Sequence, residues 1–213
     1  MSYFTPMEKR VFAILLAVIT FYLFGFQEQK KSPLVNVADY DSVFSYDVRY
    51  ATDNNFLKQT VYDCVQCLLI PEVADAVVDA NNYFCDLGYK IQFYDCYRPL
   101  SVQKKMWAIY PNASYVGNPY GSGSIHNRGA AIDMTIVRLN GDSLDMGSDY
   151  DHFGKEAHID YPHSDTVKAN RKILWDVMKK FGFSPIRTEW WHFNFDAKNY
   201  GLEVLDIDFD CDK

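Results

Sequence analysis

The segment Ser124–Met134, with the sequence SIHNRGAAIDM, constrains the fold more than any other part of the chain. It holds His126 and Asp133 seven positions apart, with a glycine and two alanines between them. Gly129 permits a tight turn, and the alanines leave room for a close approach of neighbouring groups. Residues 130–139, AAIDMTIVRL, are predicted to form a strand. His126 and Asp133 can therefore converge if the chain turns sharply just before this strand.

An imidazole and a carboxylate brought together in this way are ligands that zinc binds, at about 2.0–2.2 Å. A catalytic zinc site has three protein ligands and keeps a further position for water. Among the five histidines, three lie in the polar stretch 152–163, whereas His192 lies in the apolar segment EWWHFNF (189–195). His192 is therefore the candidate for the third ligand beside His126 and Asp133.

Glu189 precedes His192 by three residues and is followed by two tryptophans. Apolar surroundings of this kind raise the pKa of a carboxyl group towards the range useful for a general base. Other interpretations remain open at this point. His126 and Asp133 could form a hydrogen-bonded turn, His192 could be a core histidine, and Glu189 could be a buried, paired acid. The joint occurrence of the four residues favours a metal site.

Helical and strand patterns alternate along the chain, which predicts an α+β fold. We expect a single domain with a central, mostly antiparallel sheet flanked by helices. Gly88 would end the first helix, Ser164 or Asp165 would be the N-cap of the last, and Asn140-Gly141 would form a hairpin turn. Strands are predicted at 43–50, 89–97, 130–139 and 189–195, helices at 71–88, 99–110 and 164–182, and a loop at 111–123.

The N-terminus is predicted to lie outside the folded domain. Residues 1–26 contain VFAILLAVITFYLFGF, an uncharged stretch that follows a basic pair and suits a signal peptide or an N-terminal membrane anchor. Residues 27–35 are a polar linker and residues 36–213 the folded domain. The expected location is outside the cytoplasm, in the periplasm or cell envelope, with cleavage of the segment and the choice of Met1 or Met7 as start left open.

Composition argues against one class of partner, and it leaves the pairing of the cysteines open. The net charge of −7 and the absence of any Lys/Arg run longer than two argue against nucleic acid. Five cysteines are an odd number, so at least one is free or pairs between chains. Cys64 and Cys67 form a C-x-x-C pair that could be redox-active or half a zinc site, but no second such pair exists. We expect packed thiols or an incidental disulfide.

The segments SIHNRGAAID and EWWH together resemble the D-alanyl-D-alanine dipeptidase family, the zinc dipeptidases of vancomycin-resistance type. This family lies within a wider group of D-Ala-D-Ala carboxypeptidases and hedgehog-like domains, so the resemblance implies that fold. It covers residues 36–200, and further matching segments follow in the same order: RYATDNNF (49–56), YDCYRP (94–99) and MGSDYD (146–151).

The resemblance also implies hydrolysis of the small dipeptide D-alanyl-D-alanine, with one zinc ion per chain. It gives His158 a structural role or one in supporting the zinc ligands. The chain departs from the family at Cys96, where relatives often have glycine. The loop before Ser124 is also shorter than in some members. The implied roles are zinc ligands for His126, Asp133 and His192, the general base for Glu189, transition-state stabilisation for Arg98, binding of the substrate amine for Asp151, and substrate contact for Ser124.

Two other functions remain open. A zinc D,D- or L,D-carboxypeptidase that trims peptidoglycan peptides would have an open pocket and no acid placed for a free amine. A non-catalytic, zinc-containing cell-wall binding module would not need Glu189, because a binding protein has no use for a base beside the metal. The oligomeric state is left open.

Overall fold

A five-stranded mixed sheet forms the centre of the described part of the chain, residues 32–195 and 202–212 of a computed structural model. One neighbouring pair, Ser45–Tyr46 with Tyr89–Asp95, is parallel, and the other neighbouring strands are antiparallel. A separate antiparallel pair joins β1 (Val35–Asn36) to β3 (Leu68–Leu69). The order across the large sheet is β2 (Ser45–Tyr46), β4 (Tyr89–Asp95), β5 (Ala131–Arg138), β7 (Glu189–Phe195) and β6 (Phe183–Ile186).

Two of the α-helices in the described residues pack against this sheet. Helix α1 (Pro71–Asp86) contacts β4 and α3 (Asp165–Lys180) contacts β6, while α2 (Leu100–Ile109) follows β4 along the chain. Apolar residues at helical spacing, such as Val73, Val77 and Phe84 of α1, are fully buried. Both Trp190 and Trp191 of β7 are also buried, so the core lies on either side of the strand that carries His192.

The predicted α+β class and the mostly antiparallel sheet are confirmed. Helix α3 begins as expected, because Ser164 Oγ accepts a hydrogen bond from Val167 N at 3.3 Å. At the end of α1, Leu87 is the C-cap, and Gly88 follows it with a φ of 87°. Helix α2 begins at Leu100, one residue later than expected, with Pro99 as its N-cap.

Two strands of the large sheet differ from prediction. The strand expected at 43–50 is confirmed only at β2, because the chain turns into a 3-10 helix at Arg49–Ala51. Strand β6 was not predicted, and it contains Pro185, which lacks an N–H for a ladder and suits the edge position that β6 occupies.

Four of the cysteines form two disulfides, Cys64–Cys211 and Cys67–Cys96, and Cys85 is free. The members of the C-x-x-C pair are therefore joined to distant partners and not to each other. The pair is neither a redox motif of the usual kind nor half of a zinc site.

The described residues from Pro33 onward form one compact unit. No helix among the described residues is long and apolar enough to cross a membrane. The predicted signal peptide or anchor at 1–26, and the linker up to residue 31, lie outside the described residues.

Candidate active site

The turn that carries His126 depends on the glycine that ends it. His126–Arg128 form one turn of 3-10 helix, and Gly129 follows with a φ of 64° in the left-handed region. A Cβ atom on Gly129 would lie 2.6 Å from Leu34 Cδ2 and 3.2 Å from the backbone nitrogen of Ile70. Only glycine fits both the backbone conformation and the space, so the chain can reverse here and enter β5.

Sheet pairing brings the other two candidate ligands together. Asp133 on β5 is the register partner of His192 on β7, so the two side chains lie on the same face of neighbouring strands. His192 Nδ1 is 2.9 Å from Asp133 Oδ1, and His126 Nε2 is 3.3 Å from the same oxygen and 3.2 Å from His192 Nδ1. One atom of each residue therefore points to a common centre, and all three residues are buried.

The remaining polar atom of each candidate ligand is already occupied by a hydrogen bond. His126 Nδ1 donates to the carbonyl of Cys96 at 2.7 Å, and His192 Nε2 donates to Asn194 Oδ1 at 2.9 Å. Asp133 Oδ2 accepts from the hydroxyl of Tyr150 at 2.9 Å. Hydrogen bonds of this kind orient metal-binding side chains and fix the histidine tautomer. The three atoms that face the centre form a nitrogen, nitrogen and oxygen set, which fits zinc.

Glu189 lies at the edge of this centre. Its Oε2 is 3.9 Å from His192 Nδ1, and its side chain is 18% exposed. Burial raises the pKa of the Glu189 carboxyl above its ordinary value, while the charge of His192 opposes that shift. A carboxylate of raised basicity beside three converging ligand atoms can accept a proton from a water molecule held there.

Arg98 is buried and its guanidinium is held in one orientation. Its Nε donates to Asp95 Oδ2 at 3.0 Å and Nη2 donates to the same oxygen, while Nη1 donates to Gln103 Oε1 at 2.9 Å. Asp95 is itself fixed by the hydroxyl of Tyr62 at 2.6 Å. The side chain therefore presents a permanent positive charge whose position is set by the fold.

Asp151 and Ser124 lie on two separate loops that line the same cavity. Asp151 has a φ of 57°, and both of its carboxylate oxygens are within 3.3 Å of the hydroxyl of Tyr50. Burial, and then the nearby charge of Asp133, raise the pKa of Asp151 well above its ordinary value. Ser124 Oγ accepts a hydrogen bond from the backbone of His126 at 3.3 Å.

All seven residues singled out from the sequence line one cavity of about 260 Å³. This volume is below the roughly 300–1,000 Å³ usual for drug-sized ligands, so the cavity suits a small molecule. His158 does not line it, and instead its carbonyl accepts from Arg171 at 3.0 Å. The structure thus places His158 in the scaffold.

Sequence reasoning missed the side chains that hold these residues in place. They are Asp95, Tyr150 and Asn194, described above, and Asn127. The Asn127 side chain donates to the carbonyl of Arg98 at 2.8 Å and accepts from the backbone of Ser124 at 2.8 Å. Asp95 lies three positions before Arg98 within YDCYRP, which was the available signal. Tyr150 and Asn194 each lie within two residues of a predicted site residue, but their spacing has no periodicity that would reveal the contact.

The chain is similar to several known proteins. The family model described as peptidase M15, D-Ala-D-Ala dipeptidase, matches residues 30–209. A D-alanyl-D-alanine dipeptidase of Escherichia coli (strain K12) is 32% identical over 180 residues, which is 84% of this chain and 92% of that protein. One from Enterococcus faecalis is 30% identical, covering 73% of this chain and 87% of the relative. The solved structure of the LD-carboxypeptidase LdcB has a TM-score of 0.45 and 21% identity, over 77% of this chain and 68% of that chain.

The family match extends over nearly all of the described residues, and it includes every residue that lines the cavity. The relatives are covered almost from end to end. The chain is therefore a peptidase that belongs to the M15 family of D-Ala-D-Ala dipeptidases.

Proposed function

We propose that this chain is a zinc-dependent dipeptidase that hydrolyses D-alanyl-D-alanine to two molecules of D-alanine. One observation carries the proposal. His126 Nε2, Asp133 Oδ1 and His192 Nδ1 face one another within 3.3 Å, and the carboxylate of Glu189 lies 3.9 Å from the nearest of them.

His126, Asp133 and His192 would hold the zinc ion. When bound, zinc polarises a carbonyl group and lowers the pKa of a water molecule from 15.7 towards about 7. Glu189 accepts the proton of the attacking water and returns it to the amine that leaves. Its raised pKa favours the first step, because a more basic carboxylate is a better acceptor for the proton of water.

Arg98 would interact with the negative charge that develops on the substrate during hydrolysis. Asp151 would interact with the positive charge of the substrate's ammonium group. The guanidinium of Arg98 stabilises the oxyanion that develops as water attacks the peptide carbonyl. Asp151 accepts hydrogen bonds from the ammonium group of the dipeptide, while Tyr50 keeps its carboxylate oriented. Ser124 contacts the substrate from the turn that carries His126.

The small cavity and the position of Asp151 favour a dipeptidase over a carboxypeptidase. A carboxypeptidase must leave room for the rest of a peptide chain, and it gains nothing from an acid placed for a free amine. The relatives from Escherichia coli and Enterococcus faecalis are called D-alanyl-D-alanine dipeptidases, which supports the same substrate for this chain.

We also propose that the protein is exported. The Cys64–Cys211 and Cys67–Cys96 disulfides support this location, because disulfides persist in oxidising compartments and are rare in reducing ones. Cell fractionation with a tagged full-length chain tests it. Recovery of the tagged protein in the cytoplasmic fraction would rule it out.

The experiment for the proposed function compares two variants that remove different parts of the site. Wild-type protein should contain about one zinc per chain and cleave D-Ala-D-Ala. His126→Ala should lose zinc and activity together, because one of three ligands is gone. Glu189→Ala should keep zinc and lose about 10²–10⁴-fold in kcat, the usual contribution of a general base.

Metal analysis and a D-alanine release assay supply both readouts. Wild-type protein without zinc, or a His126→Ala variant that keeps full zinc occupancy, would disprove the metal site. A Glu189→Ala variant with wild-type turnover would assign the base to another residue. Zinc binding without any hydrolysis would instead support the non-catalytic binding module.

A further inference from the structure

The carbonyl that orients His126 belongs to a cysteine in a disulfide. His126 Nδ1 donates to the Cys96 carbonyl at 2.7 Å, and Cys96 is bonded through sulfur to Cys67. Both cysteines are buried, Cys67 completely and Cys96 to within 2%. A covalent bond therefore anchors the residue that fixes the tautomer and ring orientation of a candidate metal ligand.

The segment Asp95–Arg98, which contains Cys96, is fixed by further hydrogen bonds. Cys96 N donates to Asp95 Oδ1 at 2.9 Å, and Arg98 N donates to the carbonyl of His126 at 3.1 Å. On the other side, Tyr97 N donates to the carbonyl of Leu68, the residue after Cys67, at 3.0 Å. The disulfide thus links Cys67, the residue before β3, to the turn after β4, which contains Arg98 and orients the His126 imidazole.

A second acceptor lies within reach of His126. Asp95 Oδ2 is 3.6 Å from His126 Nδ1, and the same oxygen accepts the hydrogen bonds of the Arg98 guanidinium. If the Cys96 carbonyl moved away, the imidazole could turn towards Asp95, and its Nε2 would leave the metal centre. With Cys96 fixed by the disulfide, His126 keeps its hydrogen bond to the Cys96 carbonyl. Asp95 then remains the acceptor for the Arg98 guanidinium.

We propose that the Cys67–Cys96 disulfide is a positioning device for the metal site, which holds the Cys96 carbonyl where it orients His126 for zinc. This inference rests on the proposed function, since it concerns the same site. Loss of a hydrogen-bond partner behind a metal ligand typically weakens metal binding about 10–100-fold. A disulfide that served stability alone would lower the melting temperature and leave the zinc affinity of the folded protein unchanged.

The test compares removal of each disulfide in the full-length protein. Cys67→Ala/Cys96→Ala removes the bond without leaving a thiol that could itself bind zinc. Cys64→Ala/Cys211→Ala is the matched control, because it removes the bond with the longer sequence separation, 147 residues against 29, and is expected to cost at least as much stability. Zinc dissociation constants are measured by competition with a chelator, well below the melting temperature of each variant.

We expect the zinc dissociation constant to rise about tenfold or more in Cys67→Ala/Cys96→Ala. In the control it should stay within about twofold, although both variants melt at lower temperature. Equal zinc affinity in the two folded variants, or equal loss in both, would overturn the inference. Cys67→Val/Cys96→Ala, which refills the core at residue 67, serves if the first variant does not fold.

NMR of the wild-type, metal-free protein provides an independent check. The Nδ1 hydrogen of His126 should be protected from exchange by its bond to Cys96, and a freely exchanging hydrogen would contradict the inference. Wild-type protein that binds no zinc at all would disprove the proposed function, whereas wild-type zinc affinity in Cys67→Ala/Cys96→Ala would disprove only the positioning role.

Discussion

At the scale of single residues, the site is organised by side chains that contact a functional residue but do not contact the reacting atoms. Asp95 illustrates this, because it is completely buried and divides its two oxygens between different partners. Oδ1 accepts from Tyr62 and the backbone of Cys96, and Oδ2 accepts from Arg98. The orientation of the guanidinium is thus set before any substrate binds, which is what electrostatic stabilisation of a transition state requires.

Arg98→Ala is predicted to lower kcat by about 10²–10³-fold and to change KM much less, because the lost interaction forms mainly in the transition state. Zinc content should be unchanged, since Arg98 is not a ligand. Arg187→Ala is the control, as this arginine is exposed and pairs only with surface groups among the described residues. Steady-state kinetics on D-Ala-D-Ala measure both, and a change confined to KM would assign Arg98 to ground-state binding.

Asp151→Ala is predicted to reduce the discrimination between D-Ala-D-Ala and its N-acetylated form. Among the described residues, no lysine or arginine forms a salt bridge with Asp151, so the substrate ammonium would supply the missing cation. An N-acetylated dipeptide offers a neutral amide and leaves a desolvated carboxylate unpaired, which is costly.

The kcat/KM values of the two substrates, measured for wild type and for Asp151→Ala, give the result directly. Wild type should cleave the N-acetylated dipeptide poorly or not at all, and the variant should narrow the ratio while keeping zinc. Comparable kcat/KM values for both substrates in the wild type would favour a carboxypeptidase.

At the scale of elements, sequence periodicity predicted the parts of the site that lie on regular structure. Strands β5 and β7 were expected, and their register places Asp133 beside His192. Strand pairing could not be read from the sequence, because register depends on contacts between segments far apart in the chain. For the same reason the supporting residues, such as Asp95, and the disulfide partners emerged only from the structure.

Loops were the least predictable elements, because their conformation is set by single hydrogen bonds. The expected strand at 43–50 shows this. Only Ser45–Tyr46 pair with β4, after which Arg49 bonds to Asp47 at 2.7 Å and the chain turns. That turn brings the Tyr50 hydroxyl to Asp151. The irregular conformation of this segment therefore positions a side chain of the site.

Gly129→Ala is predicted to damage the site through the turn that it ends. A Cβ atom would meet Leu34 and the backbone of Ile70, and the positive φ is itself unfavourable for alanine. We expect a loss of about 1–3 kcal/mol in stability together with weaker zinc binding. Gly88→Ala is the matched control, because its φ is also positive but nothing lies within 4 Å of the added Cβ.

Denaturant unfolding and zinc titration of both variants supply the comparison. Gly88→Ala should lose stability through its backbone conformation and keep wild-type zinc affinity. If Gly129→Ala binds zinc as tightly as Gly88→Ala, the turn tolerates the added carbon, and the close packing around it does not position His126.

At the scale of the whole molecule, the site depends on contacts between distant parts of the chain. The His126 turn receives a hydrogen bond from the C-terminal segment, where Leu205 N donates to the carbonyl of Asn127 at 2.8 Å. Folding and assembly of the metal centre are therefore coupled, and the protonation of the site should be visible in global stability.

The metal-free protein is predicted to lose stability as pH rises from about 6.5 to about 9. Burial lowers the pKa of His192, but the hydrogen bond to Asp133 and the charges of Asp133 and Glu189 outweigh it and raise the pKa from 6.5 to about 9. A raised pKa means that the folded state binds the proton more tightly than the unfolded state does. The stabilisation is fully present below pH 6.5 and disappears as pH passes through 9.

Thermal unfolding of chelator-treated wild type and His192→Asn across pH 6–10 isolates this contribution. The difference in melting temperature between the two should shrink by several degrees from pH 6.5 to pH 9. Zinc-loaded wild type should lack this dependence, because metal binding requires a deprotonated Nδ1. A difference that stays constant or grows with pH would show that His192 is not protonated between Asp133 and Asn194 in the metal-free protein.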